Sequence, residues 1–124
     1  MTAIVEGAYR EQYDQSGLMI RLNETDWIKC GIEVVDGKQF VSAVVTRSTS
    51  DWSKLLAPKS DSLTFRIQRT RDLVEIFYGE PNSKLELYRQ TSFSSENPIQ
   101  VGLMTASPSG TGFSTEFSEW SIAS

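Results

Sequence analysis

The stretch Tyr13–Trp52, YDQSGLMIRLNETDWIKCGIEVVDGKQFVSAVVTRSTSDW, carries three strand patterns in succession around the dipeptide Asp36-Gly37. Apolar and polar residues alternate with the period of two that a half-buried strand requires. Asp-Gly tolerates the positive φ angles of a two-residue type I′ reversal, whose twist matches that of the strands it joins. Such a turn fixes the register: Val35 must face Lys38, and Glu33 must face Phe40. One face then gathers Ile28, Cys30, Ile32 and Val34 with Val41, Ala43 and Val45, and is predicted to be core. The other gathers Trp27, Lys29, Gly31 and Glu33 with Phe40, Ser42, Val44 and Thr46, and is mixed in character.

The same alternation extends over the rest of the chain, broken by clusters of Gly, Pro, Asn, Asp and Ser, as in an all-β protein. Strands are predicted at Ala3–Tyr9, Gly17–Leu22, Trp27–Val35, Lys38–Arg47, Leu63–Arg69, Leu73–Tyr78, Lys84–Gln90, Ile99–Ala106 and Gly112–Ile122. In the hairpin of Leu63–Tyr78, Leu63, Phe65 and Ile67 fall beside Val74, Ile76 and Tyr78, with Arg66 and Glu75 paired on the reverse face. Ser48–Ser62, STSDWSKLLAPKSDS, loses the alternation and contains Pro58. It reads as a long connection with a turn of helix at Ser53–Leu56.

At 124 residues the chain has the length of one domain, 1–124, which folding would bury over roughly two thirds of its unfolded surface. No apolar run approaches the ~20 residues of a membrane-spanning helix. The opening residues MTAIVEGAYREQ lack the basic start and apolar stretch of a secretory signal, and Cys30, the sole cysteine, cannot form an internal disulfide. A cytoplasmic location is the expectation. A net charge of −4 opposes the phosphate neutralisation on which nucleic-acid affinity rests. The chain has no histidine, and so lacks the commonest general base and the commonest metal ligand.

The runs YDQSGLMIRL, WIKCGIE, VVTR and SDW together resemble the DUF1349 family, and Phe65–Tyr78 and the closing FSEWSIA support the resemblance. It implies an antiparallel two-sheet sandwich of the concanavalin A-like jelly-roll type. It also implies regulation of a metabolic enzyme through protein contact, since the family includes a yeast protein described as a regulator of enolase. Family members carry a tryptophan-bearing segment and further strands ahead of the point where this sequence begins. Without those strands the sandwich is expected to have open edges: either the sequence is a fragment of a longer chain, or, if Met1 is the true start, a second chain covers the gap, as a homodimer through Ala3–Tyr9 or Gly112–Ile122 would.

Candidate ligand-binding residues are Arg21, Trp27, Lys29, Glu33, Phe40 and Thr46, because tryptophan offers a flat apolar platform and the charged groups can orient a sugar or peptide. The plainer alternative makes Lys29 and Glu33 ordinary ladder residues and Trp27 a cap on the sheet. Tyr13, Asp14 and Gln15 precede a strand, where they either brace a loop or line the mouth of a groove. Asp51 and Trp52 are read as loop residues that fold over a ligand or cover the core. Cys30, alternating with Ile28 and Ile32, reads as a small buried hydrophobe.

Catalysis finds little support. Glycoside hydrolysis needs two carboxylates across a cleft, and Glu33 alone is placed on the mixed face. The sequence has no E-x-D-x-x-E strand, phosphate loop or G-x-S-x-G elbow, and Asp51, Asp61 and Asp72 are too scattered for a calcium site. No metal and no cofactor is expected. The sequence favours a non-catalytic binding or regulatory module, with a carbohydrate-binding domain as the alternative and a glycan-cleaving enzyme as the least supported.

Overall fold

A computed structural model describes residues 1–123. It contains ten strands: β1 Thr2–Gly7, β2 Gln15–Arg21, β3 Asp26–Val35, β4 Lys38–Arg47, β5 Thr49–Leu56, β6 Leu63–Thr70, β7 Leu73–Gly79, β8 Glu86–Ser92, β9 Gln100–Ala106 and β10 Thr115–Ser121. They form two antiparallel five-stranded sheets, ordered β10-β1-β6-β7-β8 and β5-β4-β3-β2-β9. The all-β class predicted from the alternation is therefore found, and so is the two-sheet sandwich that the family resemblance implies. No helix among the described residues is long and apolar enough to cross a membrane.

The deciding hairpin has the predicted register, with Val35 opposite Lys38 and Glu33 opposite Phe40. Asp36 and Gly37 adopt φ angles of 52° and 75°, as a type I′ turn demands. Ile28, Cys30, Ile32, Val41, Ala43 and Val45 are buried and meet Ala3, Val5, Leu63, Phe65, Ile67, Val74 and Ile76 of the other sheet. Val34 is only half-buried, since it lies near the turn and faces Gln39.

Three expectations need correction. Residues 49–56 form no helical turn: they are edge strand β5, joined to β4 by a tight reversal at Ser48, φ 64°. The strand was hidden because a serine makes that reversal in place of glycine or asparagine, and because an edge strand wet on both sides needs no apolar alternation. Arg66 does not face Glu75. It lies opposite Phe77 and donates to Thr2 Oγ1, while Glu75 lies opposite Gln68 and accepts from Gln90. Finally, β1 cannot offer an open edge over Ala3–Tyr9, because it sits between β10 and β6; β10 is the edge.

The two sheets are clasped differently along their two sides. Beside β5 and β8 the closure is polar: Arg89 Nη2 lies 3.1 Å from Asp51 Oδ2, and Arg89 Nη1 and the Tyr88 hydroxyl both donate to Ser53 Oγ. Beside β9 it is incomplete. Val101 and Leu103 lie opposite the buried Ile20 and Leu18, yet are 37% and 42% exposed.

Candidate functional site

Strand parity places one side chain in two from β5, β4, β3, β2 and β9 on the sheet face turned away from the core. Across that face Thr46, Trp27 and Arg21 form one row, and Trp52, Val44, Lys29 and Met19 the next. Lys54, Ser42, Gly31, Gly17 and Met104 follow, then Leu56, Phe40, Glu33 and Gln15. All six residues proposed from sequence for ligand binding thus share one face.

The loop residues separate. Gln15 and Trp52 belong to the face itself, as strand residues in rows with Glu33 and Lys29. Asp51 points the other way and joins the inter-sheet clasp. Asp14 is fully shielded: its Oδ2 accepts from the backbone N–H groups of Arg10 and Glu11, and its Oδ1 from Ser107 Oγ at 2.5 Å. Burial acts to raise its pKa, but these hydrogen bonds outweigh it and hold the carboxyl below its usual value. Asp14 therefore braces a loop, in which Tyr13 takes φ 67° and its N–H bonds Val34 O.

At the centre of the face Gly17 and Gly31 lie opposite each other. A β-carbon on Gly31 would stand 2.0 Å from Ser16 O, and one on Gly17 1.9 Å from Cys30 O, so the strands approach too closely there for any side chain. The bare backbone leaves a depression of about 10 Å3, room for about one water, lined by Gln15, Lys29, Glu33, Ser42 and Met104. Glu33 forms its wall. Only 7% exposed, Glu33 accepts from Ser42 Oγ at 2.8 Å, Trp52 Nε1 at 3.0 Å and Gln15 Nε2 at 3.3 Å. All three donors are neutral, and no cation of the described residues lies within ion-pair distance of it.

Cations cover the aromatic residues on either side. Lys29 Nζ stands 5.6 Å from the Trp27 ring and Lys54 Nζ 4.2 Å from the Phe40 ring, within the range of cation–π attraction. Burial lowers the Lys29 pKa, and the Glu33 charge only partly offsets it. Sequence reasoning placed Ser42 here by register but missed Trp52, Lys54 and Gln15 as members of this face. For β5 the only signal was the period of two in Ser50, Trp52 and Lys54, in which no apolar stripe stands out.

With this geometry in place, the family described as "Protein of unknown function (DUF1349)" matches residues 1–124. "Regulation of enolase protein 1" of Saccharomyces cerevisiae is 32% identical over 119 residues, which are 95% of this chain and 60% of that protein. The chain thus spans about 60% of that relative's length. A crystal structure of a functionally unknown protein from the same yeast superposes with a TM-score of 0.92 at 31% identity, covering 97% of this chain and 65% of the other. The GH43 BlXynB protein of Bacillus licheniformis superposes with a TM-score of 0.83 at 13% identity, over 94% of this chain and 25% of that one. That last likeness is one of fold alone.

Proposed function

The chain belongs to the DUF1349 family, and on that premise we propose that it is a non-catalytic binding module that regulates a metabolic enzyme through the outer face of the β5-β4-β3-β2-β9 sheet. One observation carries the reading: partly exposed Trp27, Trp52 and Phe40 share that face with Lys29, Lys54 and Glu33, around a depression with room for about one water. Apart from an open hollow of about 450 Å3 beside Met19, Arg21, Gln100 and Gly102, the face is broad and shallow, which suits a macromolecular surface, and aromatic anchors with charged neighbours are what such contacts use. The name of the yeast relative suggests enolase as the partner to try first. Glu33 stands as the single carboxylate directed to this face from the strands, whereas glycoside hydrolysis needs two about 5–10 Å apart.

The reading is tested by titrating isotope-labelled protein with purified enolase from the same organism. Resonances of Trp27, Lys29, Glu33 and Trp52 are expected to shift or broaden together. Perturbations confined to the β10-β1-β6-β7-β8 sheet, or none, overturn it.

A second reading, saccharide recognition on the same face, draws on Trp27 and Trp52 standing beside the polar groups of Glu33, Gln15 and Ser42. Shifts of these residues with neutral oligosaccharides, and none with enolase, would favour it. Self-association completes the proposal. It belongs at β9, where Val101 and Leu103 are left partly uncovered.

A further inference from the structure

The chain is acidic overall, but the strand positions of the outer face are not. Four of its twelve Lys and Arg residues, Arg21, Lys29, Lys38 and Lys54, are directed there, against one of its sixteen carboxylates, Glu33. Four cations less one carboxylate give the face a formal +3, so the remaining chain holds −7 of the net −4. The single carboxylate is nearly buried and shielded by three neutral donors, so the charges a partner meets first are positive. Glu24 and Asp36 are in the turns at the two ends of the face, not on it.

We propose that this face recognises an acidic, extended peptide segment of its protein partner. The inference rests on the binding role given above for the same face. Charge complementarity selects the sign of the partner, since a positive field over one surface of an otherwise negative protein steers and orients an anionic one. The rows set its form. Lys29, Lys54 and Arg21 offer cations to spaced carboxylates, and the exposed ring of Trp52 offers a platform to an intervening apolar side chain. Gln15, Ser42 and Glu33, nearly buried and bonded to one another, form the floor between these cations.

A single-stranded nucleic acid is also anionic and also stacks on tryptophan. It fits less well, because a phosphate at every nucleotide meets more of the −7 held by the rest of the chain than the spaced carboxylates of a peptide do.

The test uses the full chain, with a twelve-residue oligo-glutamate peptide, an oligo-lysine peptide of equal length and a thymidine dodecanucleotide as probes, read by tryptophan fluorescence and by chemical shifts. Oligo-glutamate is expected to bind, to perturb Trp27 and Trp52 but not Trp120, and to weaken about tenfold or more between low and high salt. The double variant Lys29→Gln/Lys54→Gln should weaken it by at least about tenfold, the size expected for losing two charged contacts, and Arg71→Gln, in the β6–β7 turn of the other sheet, should not. Equal or tighter binding of oligo-lysine or of the oligonucleotide, or no loss in the double variant, overturns the inference. If enolase perturbs the face while oligo-glutamate does not, the acidic-segment inference fails and the binding reading stands. If enolase leaves the face untouched while oligo-glutamate binds there, the regulatory reading fails instead.

Discussion

The indole Nε1 of Trp52 donates to Glu33 Oε1 at 3.0 Å and approaches Ser42 Oγ at 3.1 Å, reaching from edge strand β5 across β4 to β3. One side chain therefore holds the exposed edge to the sheet centre and supplies one of the three donors of a nearly buried carboxylate. Trp52→Phe keeps an aromatic ring, though a smaller one, but removes the donor. Its expected cost is about 0.5–1.5 kcal/mol in a denaturant titration, the net worth of one hydrogen bond, together with faster hydrogen exchange confined to β5. Unchanged exchange in β5 would show that the backbone ladder with β4 holds the edge without Trp52.

The glycine pair beneath Glu33 makes a sharper prediction. Gly31→Ala forces a β-carbon against Ser16 O and the β2 backbone, which cannot yield without parting two central strands. A loss of at least about 3 kcal/mol, or failure to fold, is expected. Gly102→Ala on β9 meets nothing within 4 Å and should be neutral or stabilising by up to about 1 kcal/mol. Comparable melting temperatures for the two variants would mean that β2 and β3 can separate at their centre.

Cys30 should resist modification. It is 1% exposed within the core, and burial pushes its thiol up to about 12, so thiolate is scarce at neutral pH. Native protein should react with a thiol reagent no faster than it unfolds. Rapid labelling without denaturant would contradict the packing of Cys30 opposite Ala43 and Leu18.

What the sequence made legible was the part in which burial and alternation coincide. Leu18, Ile28, Cys30, Val41 and Ala43 reveal the core face because every second residue is apolar, and Asp36-Gly37 fixes the register because few dipeptides accept two positive φ angles. Its mixed partner face could then be read by parity alone, which is how Trp27, Lys29, Glu33 and Phe40 were found together. Trp52 and Lys54 were not legible, because β5 is identified by its pairing with β4 and has no buried stripe of its own. Long-range partners stayed hidden for a similar reason. Nothing near Asp14 in the sequence announces Ser107, and nothing near Arg89 announces Asp51.

Asp14 links the chain's stability to pH. Its folded pKa lies below the ordinary carboxyl value, so the folded state favours the ionised form. The contribution is complete above the unfolded value, near 4, and is lost as pH falls through the lowered folded value. Asp14→Asn should therefore flatten the acid limb of the stability curve below about pH 4. Asp14→Ala should cost about 1–3 kcal/mol at neutral pH by leaving the N–H groups of Arg10 and Glu11 without their acceptor. An acid limb that is the same in wild type and Asp14→Asn would assign the acid sensitivity to other carboxylates.

Self-association is expected at β9, and the charges on the sheet edges say why. Of the four edge strands, β5 carries Asp51 and Lys54, β8 carries Glu86 and Arg89, and β10 carries Glu116 and Glu119. Charges on an edge oppose strand addition, and the carboxylates of β10 would repel those of a second copy. Strand β9, QVGLMTA, has neither a charge nor a proline, and its Val101 and Leu103 turn toward the core while staying partly exposed. An antiparallel β9–β9 pairing about a two-fold axis would add ladder hydrogen bonds and bury both side chains without bringing like charges together. Light scattering at micromolar concentration should show a dimer whose mass falls to the monomer in Leu103→Lys, with the folded state retained by circular dichroism. A wild-type protein that stays monomeric to about 100 μM, well above the dissociation constant of a specific interface, would show that the β9 edge is closed to its own copy.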